Sequence, residues 1–132
     1  MRLLIKKNLE MNGIDFLADT NFLINISLKN SIVEPFIDFN IGISYISEIE
    51  LIGVFSISKF QLSTSKELIK SCSVFEMNPK IKEQTILLKQ KYKLKLPDAI
   101  IAATAIIYKL PFLTSDADFK NIKELNLIFL EK

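Results

Sequence analysis

The feature that most constrains the fold is an alternation of short apolar runs with longer segments of helical periodicity. Short apolar runs bounded by polar or turn residues are typical of buried strands, and helices between such strands favour parallel pairing. The alternation therefore predicts an α/β sandwich with a mostly parallel sheet. The predicted strands cover residues 14–19, 41–47, 73–77, 111–115 and 126–131.

Helical patterns fill the intervals between these runs. The stretch Ala99–Tyr108 is the longest strongly apolar one, and it is shorter than the ~20 residues that a membrane span needs, which predicts a core helix. Prolines at Pro79 and Pro97 are typical of a first helical turn. The predicted helices cover residues 20–30, 34–39 (beginning at Pro35), 48–60, 63–72 (with Ser65 near its start), 79–92 and 96–109, with a helical turn at 117–122.

Length and cysteine content set the organisation of the chain. Its 132 residues predict one domain, spanning 1–132. Cys72 is the single cysteine, so an internal disulfide is excluded, and the apolar stretch at the N-terminus is too short for a secretory signal. A cytoplasmic location is therefore expected.

The residue types that are missing exclude several classes of catalysis. The chain has no histidine, which excludes Ser-His-Asp and Cys-His nucleophilic sites as well as histidine-built zinc sites. Its three glycines form no phosphate-binding loop. Any enzymatic chemistry must therefore come from carboxylates, lysines, hydroxyl groups and a bound ion.

Acidic residues follow three predicted strands and begin one central helix. In a parallel α/β sheet the ligand site lies at the carboxyl ends of the strands, so these acids are candidates for one site. The alternative is helix capping, including a capping box formed by Ser47 and Glu50. The acids concerned are Asp19, Glu48, Glu50, Asp98, Asp116 and Asp118.

A cluster of carboxylates requires a cation, because like charges within a few ångströms repel each other. Oxygen ligands alone fit a hard ion such as Mg²⁺ or Mn²⁺. Such an ion activates water and stabilises charge on a phosphoryl group without histidine, which favours phosphodiester hydrolysis. Net charge is only +2, but lysines crowd residues 80–95, where they form either a solvated helix face or an edge that faces phosphates.

Four motifs in this order resemble the PIN domain family, in particular the VapC-type toxins of toxin–antitoxin pairs. The resemblance runs from Ile14 to Leu130 and implies a three-layer α/β/α sandwich with a parallel sheet of about five strands. The motifs are "ADTNFLI" at 18–24, "ISYISEIELIG" at 43–53, "KLPDAIIAATA" at 95–105 and "FLTSDADFKNI" at 112–122.

The resemblance also implies roles for individual residues. Asp19, Asp98 and Asp116 match the metal ligands of the family, and Glu50 matches its second acid. Glu48 is a rival to Glu50, since residues two apart cannot face one site on a helix.

Three nearby polar residues receive supporting roles. Asp118 is expected to cap the next helical turn, and Thr114 matches a hydroxyl residue that positions water or phosphate. Asn21 is expected to orient Asp19 by hydrogen bonding. Only one arginine is present, Arg2, so lysines must supply the contacts to the nucleic-acid backbone.

The family implies a Mg²⁺- or Mn²⁺-dependent endoribonuclease that cuts single-stranded or loop RNA, often transfer or ribosomal RNA. It also implies a cognate antitoxin protein and commonly a homodimer, and the aromatic residues within 55–63 could lie at such an interface or pack in the core. A housekeeping nuclease and a degenerate PIN domain that acts as a binding module remain alternatives. Phosphatase and receiver folds fit poorly, because Asn21 and Asp116 stand where those folds need aspartate and lysine.

Overall fold

Five parallel strands form one sheet in the computed structural model, which describes residues 13–131. The order across the sheet is β3-β2-β1-β4-β5, so the first strand lies at the centre. All four strand pairs are parallel, as the alternation of strands and helices predicts. The strands are β1 (Phe16–Ala18), β2 (Ile41–Ser44), β3 (Ser73–Phe75), β4 (Phe112–Thr114) and β5 (Leu127–Phe129).

Helices connect the strands and cover both faces of the sheet. Pro79 and Pro97 lie in the first turns of their helices, as predicted. None of the described helices is long and apolar enough to cross a membrane. The helices are α1 (Thr20–Ser27), α2 (Tyr45–Ile52), α3 (Lys59–Lys70), α4 (Pro79–Lys91) and α5 (Leu96–Ile107), with 3-10 turns at Ser31–Phe36 and Ala117–Phe119.

The alternation of side chains along the strands divides the core into two layers. In β1, Phe16 and Ala18 contact the layer under α1, whereas Leu17 contacts the layer that contains α5. Likewise Phe112 and Leu113 of β4 face opposite layers. Helices therefore pack on both sides of the sheet, which confirms the predicted α/β/α sandwich.

The boundary between β2 and α2 differs from the predicted one. The strand ends at Ser44 instead of residue 47, because the Ser44 hydroxyl accepts from the amide of Ile46 and caps the helix there. The helix then ends at Ile52 instead of residue 60. A side chain at Gly53 would place its Cβ 2.5 Å from the carbonyl oxygen of Ile49, and only glycine fits there.

Two further helix starts also differ from the predictions. The helix predicted over 63–72 begins at Lys59, where Ser58 and Gln61 form a capping box, so Ser65 lies inside it. The turn predicted to begin at Pro35 begins at Ser31, because the Asn30 side chain accepts from the amide of Ile32. In both cases a polar cap several residues upstream fixes the first turn.

Candidate active site

A cavity of about 310 Å³ lies beside the carboxyl ends of the central strands β1 and β4. It brings together four acids from distant parts of the sequence, and each of them was a candidate site residue in the sequence analysis. The lining residues are Asp19, Thr20, Asn21, Ile24, Glu50, Asp98, Ile101, Asp116 and Phe119.

Asp19 is the most buried of the four acids, with only 4% of its surface exposed. It follows β1 directly and caps α1, since one of its oxygens accepts from the amide of Phe22 at 2.9 Å. The other oxygen accepts from the hydroxyl of Thr114 at 2.5 Å. Both oxygens are thus held by donors from the protein, so the carboxylate has a fixed orientation.

Asp98 enters the cavity from the first turn of α5, behind Pro97. Helix α5 is apolar and buried along most of its length, from Ala99 to Ala105. A helix anchored so firmly in the core gives Asp98 a rigid base, and its N-terminal dipole favours a carboxylate in this turn.

Glu50 approaches from α2, where its carboxylate accepts a hydrogen bond from the hydroxyl of Thr20 at 2.6 Å. The same hydroxyl lies 2.9 Å from that of Ser47, which is fully buried. The capping box of Ser47 and Glu50, which was the alternative to a role in the site, does not form, because α2 begins earlier and Ser44 caps it. Glu48 is not among the residues that line the cavity.

Asp116 follows β4 and caps the 3-10 turn after it. Its side chain accepts from the amide of Asp118, and its own amide donates to the hydroxyl of Thr114. The expectation that Asp118 is the cap is therefore wrong: Asp118 lies inside the turn that Asp116 caps. Sequence reasoning could not separate these two acids, since both stand at cap spacing.

Asn21 and Thr114 take different parts from those expected. Asn21 lines the cavity and is exposed, but Asp19 accepts from Phe22 and Thr114 within the described residues, and not from Asn21. Thr114, which is completely buried, orients Asp19 through its hydroxyl. The positioning role expected of Asn21 therefore belongs to Thr114.

The electrostatics of the cavity raise the pKa values of Asp19 and Asp98. Burial raises the pKa of Asp19 from 3.8 to about 6, and the charges of Asp116 and Asp98 add to the rise, while the hydrogen bonds from Thr114 and Phe22 oppose it. Burial also raises the pKa of Asp98. The charges that add to that second rise belong to Asp116, Glu50 and Asp118, whereas Lys95 opposes it.

Whether these acids fit a cation depends on their donor set and on their spacing. All ligating atoms are carboxylate oxygens that repel each other, which a hard divalent ion would relieve. Within residues 13–131, however, no three acidic or cysteine side chains are already arranged to hold one ion. Mg²⁺ keeps several waters and is commonly bound through one or two carboxylates, so the residues fit such an ion without a closed cage.

A second, apolar cavity of about 340 Å³ adjoins the acidic one, because Ile24 lines both. It lies between α1 and α3, beside the segment that follows α2. Phe60, which lines it, is 80% exposed, and the neighbouring Phe55 is 95% exposed. These two aromatic side chains are therefore not packed in the core, which was the alternative for residues 55–63. We call this surface the apolar groove; its lining residues are Ile24, Ser27, Leu28, Leu51, Val54, Ile57, Phe60, Gln61, Thr64 and Ser65.

Some lysine side chains of residues 80–95 bind other parts of the protein, whereas others have no such partner among the described residues. Lys89 donates to the carbonyl of Leu94 at 2.8 Å, and Lys91 forms an ion pair with Glu124 at 3.1 Å. Lys95, immediately before α5, is exposed, and its ammonium group makes no hydrogen bond or ion pair with the described residues, although its backbone carbonyl accepts from the amide of Ala99. It is also the cation that opposes the rise in the pKa of Asp98, so it lies close to the acidic cavity.

Comparison with solved structures shows the same architecture in proteins of several bacteria. A toxin–antitoxin complex from Klebsiella pneumoniae contains a chain that is 29% identical, with a TM-score of 0.73, over 86% of this chain and 95% of that one. DNA-bound VapBC from Salmonella typhimurium matches with a TM-score of 0.77 at 20% identity, over 86% of this chain and 96% of that one. FitAcB from Neisseria gonorrhoeae gives a TM-score of 0.69 at 19% identity, over 86% and 96%.

Comparison of the sequence itself identifies the family. No curated protein sequence matches the chain. The family model of the PIN domain matches residues 16–125, a span that includes all four acids of the cavity. The chain therefore belongs to the PIN domain family.

Proposed function

We propose that this protein is a divalent-cation-dependent endoribonuclease of the VapC type and the toxin of a toxin–antitoxin pair. The single observation that carries the proposal is the convergence of Asp19, Glu50, Asp98 and Asp116 on one cavity. The structural likeness to a chain of the toxin–antitoxin complex from Klebsiella pneumoniae, at 29% identity, supports the same assignment.

Within this proposal Asp19, Asp98 and Asp116 would hold Mg²⁺ or Mn²⁺, each either directly or through a water that the ion keeps, and Glu50 would complete the acidic pocket. Asp19 enters the reaction already oriented by Thr114 and by the amide of Phe22, so little ordering remains when the ion binds. A divalent ion bound there supplies Lewis-acid stabilisation of the phosphoryl group and makes water a nucleophile near neutral pH. No histidine is needed for this chemistry, in agreement with the composition.

RNA is the proposed substrate, because the cavity adjoins a free cation. Four carboxylates alone would repel a polyanion, whereas Lys95 offers an unengaged ammonium group beside Asp98. A lysine attracts phosphate as a point charge, which fits a strand that is held by its backbone. Single-stranded or looped RNA, including transfer or ribosomal RNA, can present a phosphate to such a pocket.

The proposed partner is a cognate antitoxin whose apolar helix or strand lies in the apolar groove. The groove exposes large apolar side chains, Leu28 and Phe60 among them, which is unusual for a surface without a partner. Since Ile24 joins the groove to the acidic cavity, a chain bound in the groove would also cover the carboxylates. A homodimer, which the resemblance to the family implies, is a further expectation.

The activity is tested by incubating the purified protein with labelled single-stranded RNA in Mg²⁺, in Mn²⁺ and in EDTA. Cleavage that requires either ion and stops in EDTA supports the proposal. Cleavage that continues in EDTA would contradict it, and no cleavage of any transfer, ribosomal or synthetic RNA with either ion would favour the binding-module alternative.

The partner is tested by co-expression with the product of the short open reading frame beside the gene. We expect Phe60→Ser to lose co-purification of that product, because the variant removes an exposed apolar contact without disturbing the core. Leu87→Ser is the matched control, since Leu87 is 52% exposed on α4 and does not line the groove. Equal co-purification of both variants would contradict the assignment of the groove.

A further inference from the structure

The hydroxyl groups of Thr20 and Ser47 lie beside Glu50 in an arrangement that the sequence motifs did not reveal. Thr20 is the first residue of α1, whereas Ser47 and Glu50 lie one turn apart on α2. The Thr20 oxygen is 2.6 Å from a carboxylate oxygen of Glu50 and 2.9 Å from the hydroxyl of Ser47. The three side chains thus form a continuous chain of hydrogen bonds between two helices.

The chemistry of the three groups fixes which of them donates and which accepts in each hydrogen bond. An ionised carboxylate only accepts hydrogen bonds, so the single proton of the Thr20 hydroxyl must point to Glu50. The contact between the two hydroxyls must then use the proton of Ser47, which donates to Thr20. A hydroxyl that accepts one hydrogen bond donates a second one more strongly, so Ser47 strengthens the bond to Glu50.

The three residues joined by these hydrogen bonds differ sharply in burial, and this difference indicates what the hydrogen bonds do. Ser47 is fully buried, Thr20 is half-buried, and Glu50 is exposed at the cavity wall. A glutamate side chain in such a position has several rotamers, and it loses this freedom when it is ordered. The hydrogen bond from Thr20 restrains it beforehand and leaves its second oxygen for the cavity.

We propose that Thr20, supported by Ser47, is a positioning residue that sets the orientation of Glu50 toward the acidic cavity. This inference rests on the proposed function, since it assigns Glu50 an oxygen that acts on a divalent ion. Thr20 itself does not take part in the chemistry: it acts through Glu50. Its direct neighbour Asp19 is oriented separately, by Thr114 and Phe22.

The first test follows Glu50 in the protein without any ion. Side-chain NMR couplings report whether the χ1 and χ2 angles of Glu50 occupy one rotamer or average over several. We expect one rotamer in the wild type and in Thr20→Ser, and averaged values in Thr20→Val, which keeps the shape but loses the hydroxyl. Averaged couplings in the wild type, or unchanged couplings in Thr20→Val, would overturn the proposal.

The second test measures binding of Mn²⁺ alone by calorimetry. We expect Thr20→Val to weaken Mn²⁺ binding by about threefold to tenfold, as the lost restraint on Glu50 predicts, and Thr20→Ser to restore it. The double variant Thr20→Val/Glu50→Ala should bind no more weakly than Glu50→Ala, which leaves Thr20 no side-chain acceptor at position 50, because Thr20 acts only through Glu50. Additive losses in the double variant would overturn the proposal.

A matched control separates positioning from a general effect on folding. Thr85→Val on α4 also removes a buried threonine hydroxyl, which donates to the carbonyl of Ile81, and it should leave Mn²⁺ binding unchanged. Failure of the two proposals can be told apart. A wild type that binds no Mn²⁺ contradicts the proposed function, whereas the couplings of Glu50 still decide for or against the role of Thr20.

Discussion

Thr114 donates a hydrogen bond to Asp19 across 95 residues of sequence, with 2.5 Å between the hydroxyl and carboxylate oxygens. The bond joins the ends of β4 and β1, which pair in parallel at the centre of the sheet. Thr114 also accepts from the amide of Asp116, so one buried hydroxyl links two of the four acids. The geometry of the site is therefore set partly by the sheet itself.

Replacing Thr114 by valine should destabilise the protein and do so in a pH-dependent way. The variant removes the donor to Asp19, and a hydrogen bond to a charged group contributes about 1.5–3 kcal/mol. The loss in the free energy of unfolding should be larger at about pH 7.5, where Asp19 is ionised, than at about pH 4.5. Urea unfolding in EDTA measures it, with Thr114→Ser as control; a loss independent of pH would contradict the assignment.

The pH dependence of stability should carry the signature of Asp19. Its pKa is about 6 in the folded protein, above the ordinary value of 3.8, so the native state binds the proton more tightly than the unfolded state. Stability in EDTA should therefore be highest below about pH 4, fall as the pH rises to about 6, and then level off with respect to this group.

Asp19→Asn should remove much of the fall in stability between about pH 4 and pH 6. Asparagine keeps the cap of α1 but carries no charge, so we expect the variant to be about 1–3 kcal/mol more stable than the wild type at neutral pH in EDTA. Urea unfolding at several pH values provides the measurement. A variant that is less stable than the wild type at neutral pH, or that retains the full slope, would show that burial of the charge does not strain the fold.

Lys95→Ala should weaken RNA binding more at low salt than at high salt. A lysine that contacts one phosphate contributes about one unit to the slope of log affinity against log salt, so the slope should become shallower by about 1. Titration of a labelled single-stranded RNA into Asp98→Asn protein prevents cleavage during the measurement. Lys66→Ala on α3, away from the acidic cavity, is the control; equal slopes for both variants would exclude Lys95 as a phosphate contact.

Gly42 in β2 should not tolerate a side chain. A Cβ there would lie 2.6 Å from the ring of Phe75, which packs against Tyr108 at an angle of 36° with 4.4 Å between centroids, so both rings would have to shift. Gly42→Ala should lower stability by about 1–3 kcal/mol, as overpacking does. Thermal unfolding checks this against Ser73→Ala, the exposed neighbour in register with Gly42; equal melting temperatures would contradict it.

The sequence predicted the order of strands and helices because each strand is a short apolar run with polar residues at its end. Asp19 and Asp116 could be identified as candidates for the same reason, since parallel strands end at one edge of a sheet, whereas Asp98 was a candidate because it begins the central apolar helix. The boundary between β2 and α2 was missed, because residues 45–47 continue the apolar pattern of the strand although the cap at Ser44 begins the helix.

The partners of the acids could not be predicted from local pattern. Thr20 and Glu50 are 30 residues apart, and Thr114 and Asp19 are 95 apart, so their contacts depend on the order of the strands and on the angle of α2. Asn21 was the more obvious candidate as a near neighbour of Asp19, yet within the described residues its side chain makes no hydrogen bond with Asp19. A hydroxyl immediately after a strand-end acid is the signal that could have indicated Thr20.

The central claim is that the acids of one cavity hold the ion that cleaves RNA, and Asp98→Asn tests it most directly. Cleavage of single-stranded RNA in Mn²⁺ is compared among the wild type, Asp98→Asn and the control Asp38→Asn, which changes an exposed aspartate that does not line the cavity. We predict that Asp98→Asn cleaves about 100-fold or more slowly, while Asp38→Asn matches the wild type and all three are inactive in EDTA. Cleavage by Asp98→Asn at the wild-type rate would contradict the account.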